Sequence, residues 1–418
     1  MSISRSKIIK TIFHFILFMI TAFMLAGCVI PPTPNQAKWT VMVYLDADNN
    51  LESFGIQDIN EMEMVGSSNE VNIVVQADRI PFDVLDSIGQ GLYDDDSNND
   101  WTGTRRYFIT QDMDPDIIHS SIKGNLGEKN MGDPETLKNF AQWAMQNYPA
   151  ERYMLVIWNH VGGFRSIDLA RDIAWDLTSM NDRITMSELE EALNFIKGQA
   201  GQNIDIVGMD ACLMSMVEVA YQIKDSAQIF VSSEASVPPE GWQYDCVLQE
   251  LVSNPGQSSQ SFASAIVSCY YDQYFASGNS VTQSAIDLTT MDALASQISS
   301  LAQAIINDTS TARAAYRDAG NASQFYTGSG IDYVDLKDFV TKLPVYTANS
   351  TVTALASQIN QSLELGNSII SWTYCGDNVD QSRGISIYFP YFSYDQYYNY
   401  NNFAQDTMWD EMLIYLGL

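Results

Sequence analysis

The chain has 418 residues, of which 46% are hydrophobic and 17% charged, so it is long enough and apolar enough to form one large domain, or a domain with an extension, around a packed core. It carries 51 acidic residues against 21 basic ones, a formal net charge of −30. This excess of acid argues against nucleic-acid binding, which needs clustered Lys and Arg, and indicates a solvated acidic surface.

The first 28 residues predict a lipoprotein signal peptide rather than a folded segment. Three basic residues open it, and the apolar run over 11–24 that follows is too short for a good membrane span. It ends in Leu-Ala-Gly-Cys, which resembles a bacterial lipobox in which Cys28 becomes the lipidated first residue. An uncleaved anchor and an ordinary secretory signal are the alternatives. Lipidation predicts an extracytoplasmic protein held at the cell membrane or the outer membrane.

Residues 29–38 contain three prolines and predict an extended tether. Beyond it, 39–45 is a predicted strand, and the polar residues that follow cap a predicted helix over 51–65. Strands and helices then alternate as far as residue 288, which predicts an α/β domain over 39–288 with a mostly parallel sheet covered on both faces. Residues 289–418 predict a mainly helical C-terminal region packed on that domain.

Two predicted buried strands, 153–158 and 204–209, each end just before a chemically reactive residue. His160 follows the first strand and Cys212 follows the second. In a parallel sheet, ligands and chemistry collect at the carboxyl ends of the strands. A cysteine peptidase needs such a pair, because the thiolate is the nucleophile and the imidazole takes its proton. Either residue alone is more often a structural one, so the prediction depends on the two being close together.

The same region predicts how charge would be stabilised during acyl transfer. A helix predicted over 213–224 would place its first backbone amides, which favour negative charge, next to Cys212. The backbone N–H of Cys212 and one from the turn at Val161 and Gly162 are candidate donors of an oxyanion hole.

Most of the remaining cysteines and histidines predict structural roles. Cys246, Cys269 and Cys375 have no Cys-x-x-Cys spacing that would indicate a zinc site, and we expect buried thiols or at most one disulfide. His119 lacks a nearby partner motif, so a surface or structural role is predicted for it.

The residues around the pair read Trp-Asn-His-Val-Gly-Gly-Phe and Gly-Met-Asp-Ala-Cys-Leu-Met-Ser-Met-Val-Glu-Val-Ala-Tyr. These two segments closely resemble the histidine and cysteine blocks of the clostripain family of caspase-like cysteine peptidases. The matching segments are 158–164, 208–221, 44–52, 233–234, 241–242 and 384–390. The resemblance runs from about residue 38 to the C-terminus, and it implies a caspase-like α/β/α sandwich.

The resemblance implies a role for each matched residue. His160 would be the general base and acid, and Cys212 the nucleophile, in a dyad that needs no third residue. Family members typically cleave after Arg or Lys, which requires an acid in the pocket for the basic side chain. Asp210 matches the family's Asp-Ala-Cys, with capping of the following helix as its alternative role. Glu240 lies where the family often places a second pocket acid, and an exposed loop carboxylate is the alternative.

This sequence departs from the family pattern after the catalytic histidine, where Val161 replaces the usual Gly. A β-branched residue disfavours unusual backbone angles, so an altered oxyanion hole with low or no activity is the alternative. The family also matures by cleavage between the histidine and cysteine blocks. Here that interval contains Arg165, Arg171 and Arg183. We expect self-cleavage after Arg165 or Arg171.

Calcium supports some members of the family, and two acidic stretches of this chain are candidate ligands. Asp46, Asp48 and Asn50 form one stretch, and 94–100 forms the other. Neither completes an EF-hand loop, because the required Gly and Glu are missing, and helix capping and loop solvation explain them better. We therefore expect no required cofactor and no metal ligand, with calcium kept as an optional cofactor.

Together these features predict a lipid-anchored, extracytoplasmic cysteine endopeptidase that cleaves polypeptides after Arg or Lys. The alternative is a catalytically impaired caspase-like surface lipoprotein that binds without cutting. A third interpretation is a peptidase with another side-chain preference.

Overall fold

A nine-stranded sheet crosses the computed structural model, which describes residues 36–159, 173–328, 331–391 and 393–418. Most of its central positions are fully buried, as expected for strands covered by helices on both faces. The strands among the described residues are, in chain order, β1 (Ala37–Ala47), β2 (Val71–Arg79), β3 (Gly103–Phe108), β4 (Ser121–Gly127), β5 (Ala150–Trp158), β6 (Ile173–Asp176), β7 (Asp182–Ile184), β8 (Ile204–Asp210), β9 (Ala227–Ser232), β10 (Val281–Asp287), β11 (Phe325–Gly328), β12 (Ile331–Asp335), β13 (Ile369–Cys375) and β14 (Ser386–Tyr388).

Helices cover the sheet on both sides. Those among the described residues are α1 (Glu52–Val65), α2 (Phe82–Ser87), α3 (Pro134–Asn147), α4 (Met186–Ala200), α5 (Val217–Ile223), α6 (Tyr244–Ser253), α7 (Ser259–Tyr274), α8 (Met291–Asn307), α9 (Arg313–Asn321), α10 (Leu336–Tyr346), α11 (Ser350–Ser362), α12 (Asn402–Asp406) and α13 (Trp409–Leu416). None of these helices is long and apolar enough to span a lipid bilayer. The predicted signal peptide, its Cys28 and most of the predicted tether lie outside the described residues.

The large sheet has the strand order β13-β10-β9-β8-β5-β1-β2-β3-β4. Its five central strands, from β9 to β2, are parallel, and two antiparallel strands flank them on each side. The remaining strands form a three-stranded sheet, β11-β12-β14, and the β6–β7 hairpin. The parallel centre aligns the carboxyl ends of β1, β5 and β8 along one edge, where a site is expected.

Alternation along β1 divides the interior into two cores. Met42 and Tyr44 belong to the core packed under α3 and α4, whereas Val41, Val43 and Leu45 belong to the core under α1, α6 and α7. Successive side chains of a strand point to opposite faces, so a strand that is apolar throughout must be covered on both. The predicted α/β/α sandwich with a mostly parallel sheet is thereby confirmed.

The C-terminal region is mainly helical and continues the same body. Its strand β13 pairs antiparallel with β10 and forms one edge of the large sheet. Residues 37–418 accordingly form a single compact unit, and the predicted boundary at residue 288 lies within it.

One disulfide is present among the described residues, between Cys246 of α6 and Cys269 of α7. Cys375 is a buried free thiol. Both findings agree with the expectation of buried thiols and at most one bridge. His119 is exposed and its Nε2 lies 3.3 Å from Asp114 Oδ2, which agrees with a surface role.

Candidate active site

Cys212 lies two residues after β8, at the carboxyl edge of the large sheet. Its Sγ accepts a hydrogen bond from the backbone N–H of Val237 at 3.2 Å. Burial raises the pKa of the Cys212 thiol, and the nearby Asp210 charge raises it further, while the Val237 N–H acts in the opposite direction. The described residues around Cys212 therefore favour the thiol, and ionisation needs a base or cation beyond them.

The backbone turns sharply at the residue after the cysteine. Leu213 has a φ of +59°, in the left-handed region that non-glycine residues rarely adopt. Its N–H donates to Ala235 O at 3.0 Å, which holds the turn against the loop after β9. Such a conformation costs on the order of 1–3 kcal/mol and persists only where the surroundings enforce it. The strain therefore lies directly beside the candidate nucleophile.

The helix predicted to begin at residue 213 begins instead at Val217, so its amides do not reach Cys212. The intervening backbone pairs with distant segments: Ser215 N donates to Ser233 O at 2.8 Å, and Ser386 N donates to Ser215 O at 2.9 Å. These long-range bonds compete with local helix formation. The predicted stabilisation by a helix start is wrong, and the Val237 N–H donates to the sulfur instead.

The strand that precedes His160 runs beside the strand that precedes Cys212. In the parallel register of β5 and β8, Trp158 is opposite Asp210. His160 thus comes two residues after Trp158 in the chain, and Cys212 comes two residues after Asp210, its partner on the neighbouring strand. His160 lies outside the described residues, and so do the oxyanion candidates Val161 and Gly162 and the processing candidates Arg165 and Arg171. Arg183, in the same interval, lies in β7 with its guanidinium 5.4 Å from the Trp175 ring.

Asn159, the last described residue before His160, is buried and held on several sides. Its backbone N–H donates to Asp210 O at 3.4 Å. Its Nδ2 donates to Asp46 Oδ2 at 2.6 Å and to Trp175 O at 3.3 Å. The end of β5 is therefore tied both to β8 and to the end of β1, which fixes the backbone from which the histidine emerges.

A small cavity of about 50 Å³ opens beside the cysteine. Its walls come from the ends of β5 and β8, from the start of α1 and from the loop after β9, and its lining residues are Leu51, Trp158, Asn159, Asp210, Ala211, Cys212, Val237, Pro238, Pro239 and Gly241. The candidate nucleophile Cys212 and the carboxylate of Asp210 thus line the same cavity.

Asp210 is 4% exposed. Its Oδ2 accepts from the Trp242 N–H at 2.9 Å and from the Tyr244 hydroxyl at 3.2 Å. Its Oδ1 is buried and has no hydrogen-bond partner among the described residues. Burial, aided by the charge of Glu61, raises the pKa of Asp210 to about 7 although both hydrogen bonds act in the opposite direction. Asp210 does not cap α5, whose N-terminal flanking residue is Met216.

Glu240, the second predicted pocket acid, occupies an exposed position in the turn from Pro238 to Gly241. It does not line the small cavity, whereas the adjacent Gly241 does. A Cβ at Gly241 would lie 2.6 Å from Asp210 Oδ2, so only glycine allows this close approach. The structure therefore brings Asp210 and Cys212 together and leaves Glu240 at the surface.

Four carboxylates gather near the carboxyl ends of β1 and β2. We call this group the acidic cluster; its ligand oxygens lie within 4.8 Å of one another, and it consists of Asp48, Asp78, Glu128 and Asp176. Of the sequence candidates for calcium, Asp48 belongs to it, whereas Asp46 binds Asn159. The acidic run 94–100 has another role, since Asp95 O and Ser97 O accept from the Arg79 guanidinium.

Sequence reasoning missed several of these residues. Tyr244 acts on the site through a hydrogen bond to Asp210 and Val237 through its backbone contacts with the Cys212 sulfur, and no motif distinguishes either residue. The acidic cluster escaped notice because its members come from four separate segments. Asn159 was noted only as part of the histidine block. Its position directly before His160 could have indicated a role in holding that segment.

Comparisons with known proteins agree with this geometry. The model of the clostripain family matches residues 43–415. Clostripain from Hathewaya histolytica is 33% identical over 246 residues, which are 53% of this chain and 44% of that protein. The matched part is thus less than half of that relative's length.

Two solved structures share the fold. A secreted C11 cysteine protease from Bacteroides thetaiotaomicron, in complex with an irreversible peptide inhibitor, has a TM-score of 0.62 at 22% identity, over 90% of this chain and 99% of that one. An inactive zymogen C11 protease from Parabacteroides distasonis has a TM-score of 0.66 at 18% identity, over 90% and 99%. The family model matches most of this chain, and Cys212 lies beside the buried Asp210. This chain therefore belongs to the clostripain family.

Proposed function

We propose that the protein is a cysteine endopeptidase in which Cys212 attacks the scissile carbonyl and His160 first takes and then returns the proton. The observation that carries this proposal is the shared cavity of Cys212 and Asp210 at the carboxyl edge of the sheet. The register of β5 and β8 supports it, because it aligns the strands that lead to both residues. In the resulting acyl-enzyme, the cysteine sulfur is bonded to the substrate's acyl carbon until water releases it.

We further propose that substrates carry Arg or Lys before the cleaved bond. The Oδ1 of Asp210, which has no hydrogen-bond partner among the described residues, offers a basic side chain a partner at the cavity that Asp210 lines. Burial strengthens such a pair, since few waters compete for either charge. Glu240, exposed at the neighbouring turn, is proposed as an accessory acid that attracts the cation before it enters.

The test is an assay of the purified chain with peptide amides that end in Arg, Lys, Asp or Leu. We expect turnover of the Arg and Lys substrates, and a loss of at least about 10³-fold in Cys212→Ala. Cys375→Ala is the matched control, because it removes the second free thiol of the part of the chain that the structure describes and leaves the site intact. Equal activity of Cys212→Ala and the parent protein would contradict the assignment of the nucleophile.

A catalytically impaired surface lipoprotein is the second candidate. The burial that raises the pKa of the Cys212 thiol favours it, because a neutral thiol is a weak nucleophile. The Val161 substitution in the family pattern points in the same direction. Absence of turnover on all four substrates, with calcium added and after proteolytic activation, would support this candidate.

Self-processing and membrane anchoring complete the proposal. We propose cleavage after Arg165 or Arg171 and lipidation of Cys28, which would hold the enzyme outside the cytoplasm at a membrane. A Cys212→Ala chain that is still clipped at the same bond when purified alone would refute self-cleavage. Mass spectrometry of the mature N-terminus, with Cys28→Ala as its control, tests the lipid.

A further inference from the structure

A pocket of about 360 Å³ lies between helix α3 and the edge of the large sheet at β3 and β4. We call it the basic pocket; its lining residues are Arg106, Leu126, Lys129, Thr136, Asn139, Gln142, Trp143 and Gln146. Its volume is within the range of about 300–1,000 Å³ that is typical of pockets for small ligands. It is separate from the cavity beside Cys212, because β3 is three strands away from β5, which is roughly 14 Å at about 4.8 Å per strand.

The charge of the basic pocket is opposite to that of the protein as a whole. The chain has 51 acidic residues and 21 basic ones, yet the described lining contains two cations and no carboxylate. The negative net charge already keeps the protein soluble, so solubility does not account for a pocket of the opposite sign. The pattern indicates a ligand that carries negative charge.

Arg106 supplies a cation that neighbouring side chains hold in place. It is half-buried, and its Nε donates to Gln76 Oε1 at 2.8 Å. Its guanidinium carbon lies 4.9 Å from the centre of the Trp143 ring and 5.9 Å from that of the Phe140 ring. The hydrogen bond and the two cation–π contacts orient the guanidinium before any ligand arrives. Such preorganisation lowers the entropic cost of binding.

The two terminal nitrogens of this guanidinium are unused. Among the described residues, Arg106 donates only through Nε, and no carboxylate forms an ion pair with it. Burial lowers the pKa of Arg106 to about 10, which leaves the side chain charged at neutral pH. A partly buried cation is normally paired with an anion, because its removal from water is costly. The Nη donors form a fork that matches two oxygens of a carboxylate or a phosphate group.

The other polar residues of the pocket add a second cation and several amides. Lys129 is exposed, and the neighbouring Glu128, which does not line the pocket, offsets part of its charge. Gln142 and Gln146 are four residues apart on α3, so their amides lie on the same side of the helix. Amide N–H groups donate to anionic or neutral oxygens alike, which suits the uncharged part of a polar ligand.

We propose that the basic pocket binds a small organic anion, whose carboxylate or phosphate group pairs with the guanidinium of Arg106 and with Lys129. The rest of the ligand would occupy the space along the amides of α3. Because the pocket is larger than one oxyanion requires, it accommodates the group together with the part of the molecule that carries it. This site is distinct from the proposed catalytic residues, so binding does not depend on the peptidase assignment.

Isothermal calorimetry on the full Cys212→Ala chain at low ionic strength can measure this binding. The probes are inorganic phosphate, N-acetylglutamate amide, which carries one carboxylate, and N-acetylglutamine amide, its neutral analogue of the same size. We expect one anion per chain, bound at least about tenfold more tightly than the neutral amide. The anion that binds more tightly identifies the preferred oxyanion. Added NaCl should weaken binding, since salt screens the attraction.

Substitutions test whether the named cations form the site. Arg106→Gln should weaken anion binding at least about tenfold, and Arg106→Lys, which keeps the charge but loses the fork, about threefold to tenfold. Lys129→Gln should weaken it about threefold, and this exposed change leaves the interior intact. Lys123→Gln is the matched control, because Lys123 belongs to β4 and carries the same charge but does not line the pocket.

Three results would overturn the inference. They are the absence of saturable binding for both anions, binding of the neutral amide as tight as that of the anions, and a loss in Lys123→Gln equal to that in Lys129→Gln. The last result would show that only the overall charge of the protein matters. Thermal unfolding of each variant separates lost binding from lost folding, and Lys129→Gln keeps the test valid if Arg106→Gln does not fold. Each result is independent of whether the parent chain cleaves peptides.

Discussion

Replacing Asp210 with Asn should stabilise the protein at pH 8 while removing the proposed preference for basic substrates. The carboxylate is buried, its Oδ1 has no hydrogen-bond partner among the described residues, and its pKa is raised to about 7 chiefly by burial. This pKa lies above the value in the unfolded chain, so folding takes up a proton at pH values between the two pKa values. Stability is therefore present at low pH and lost as pH rises towards 7.

The magnitude follows from the two pKa values. The difference between about 7 in the folded chain and 3.8 as the ordinary value corresponds to about 4 kcal/mol lost by pH 8, at about 1.4 kcal/mol for each tenfold change in proton affinity. The Asp210→Asn side chain avoids this loss and can still accept from the Trp242 N–H, but its amide N–H₂ is buried without an acceptor. That group costs about 1–3 kcal/mol, so a net gain of about 1–3 kcal/mol is expected at pH 8 and none at pH 5.

Urea denaturation tests the stability of Cys212→Ala chains with and without Asp210→Asn at pH 5 and pH 8. The decisive quantity is how much the difference in unfolding free energy between the two chains changes from pH 5 to pH 8. This comparison cancels effects of the substitution that are independent of pH. In the active background, the ratio of kcat/KM for Arg over citrulline substrates should fall by about tenfold or more. In the parent this ratio should also fall below pH 7, as Asp210 becomes protonated. An unchanged stability difference and an unchanged ratio would together refute the assignment of Asp210 as the buried specificity acid.

Three further predictions concern the framework of the site. Replacing Cys246 and Cys269 with Ala should lower the free energy of unfolding in urea by about 3 kcal/mol, since the bridge closes a loop across 23 positions. The parent protein should lose a similar amount of stability under reducing conditions. Gly208→Ala should cost about 1–3 kcal/mol and reduce activity, because its Cβ would lie 2.6 Å from Trp242 Cη2; unchanged thermal stability would contradict this packing. Asn159→Ala removes the donor to Oδ2 of the buried Asp46 carboxylate, which keeps the Asp48 N–H on its Oδ1, and we expect about 1–3 kcal/mol of destabilisation with a lower kcat and a nearly constant KM.

The position of the candidate nucleophile was predictable because its strand has a strong local pattern. A run of buried residues that ends in Asp210-Ala-Cys212 indicates a parallel strand with a reactive residue at its carboxyl end, and the structure has β8 end at Asp210. The alternation of strands and helices likewise predicts a sheet covered on both faces. These are properties of neighbouring residues, so one sequence is sufficient to read them.

The start of the helix after Cys212 could not be predicted in this way. Residues 213–216 have a helical composition, yet their backbone groups pair with Ala235, Ser233 and Ser386. Such pairing depends on segments far away in the chain, and local propensity carries no information about them. The same limit applies to Glu240, because its own segment does not show whether the turn from Pro238 to Gly241 places it in the cavity or at the surface.

By itself, then, the sequence determined the fold class, the strand ends that carry Cys212 and His160, and the family to which the chain belongs. Only the tertiary structure decided what surrounds them: the Val237 N–H on the sulfur, Trp242 and Tyr244 on Asp210, and the assembly of the acidic cluster. The physical reason is that periodicity and motifs record interactions along one segment. Burial, pKa and ligand geometry arise where segments meet, and a carboxylate such as Asp176 acquires its partners only there.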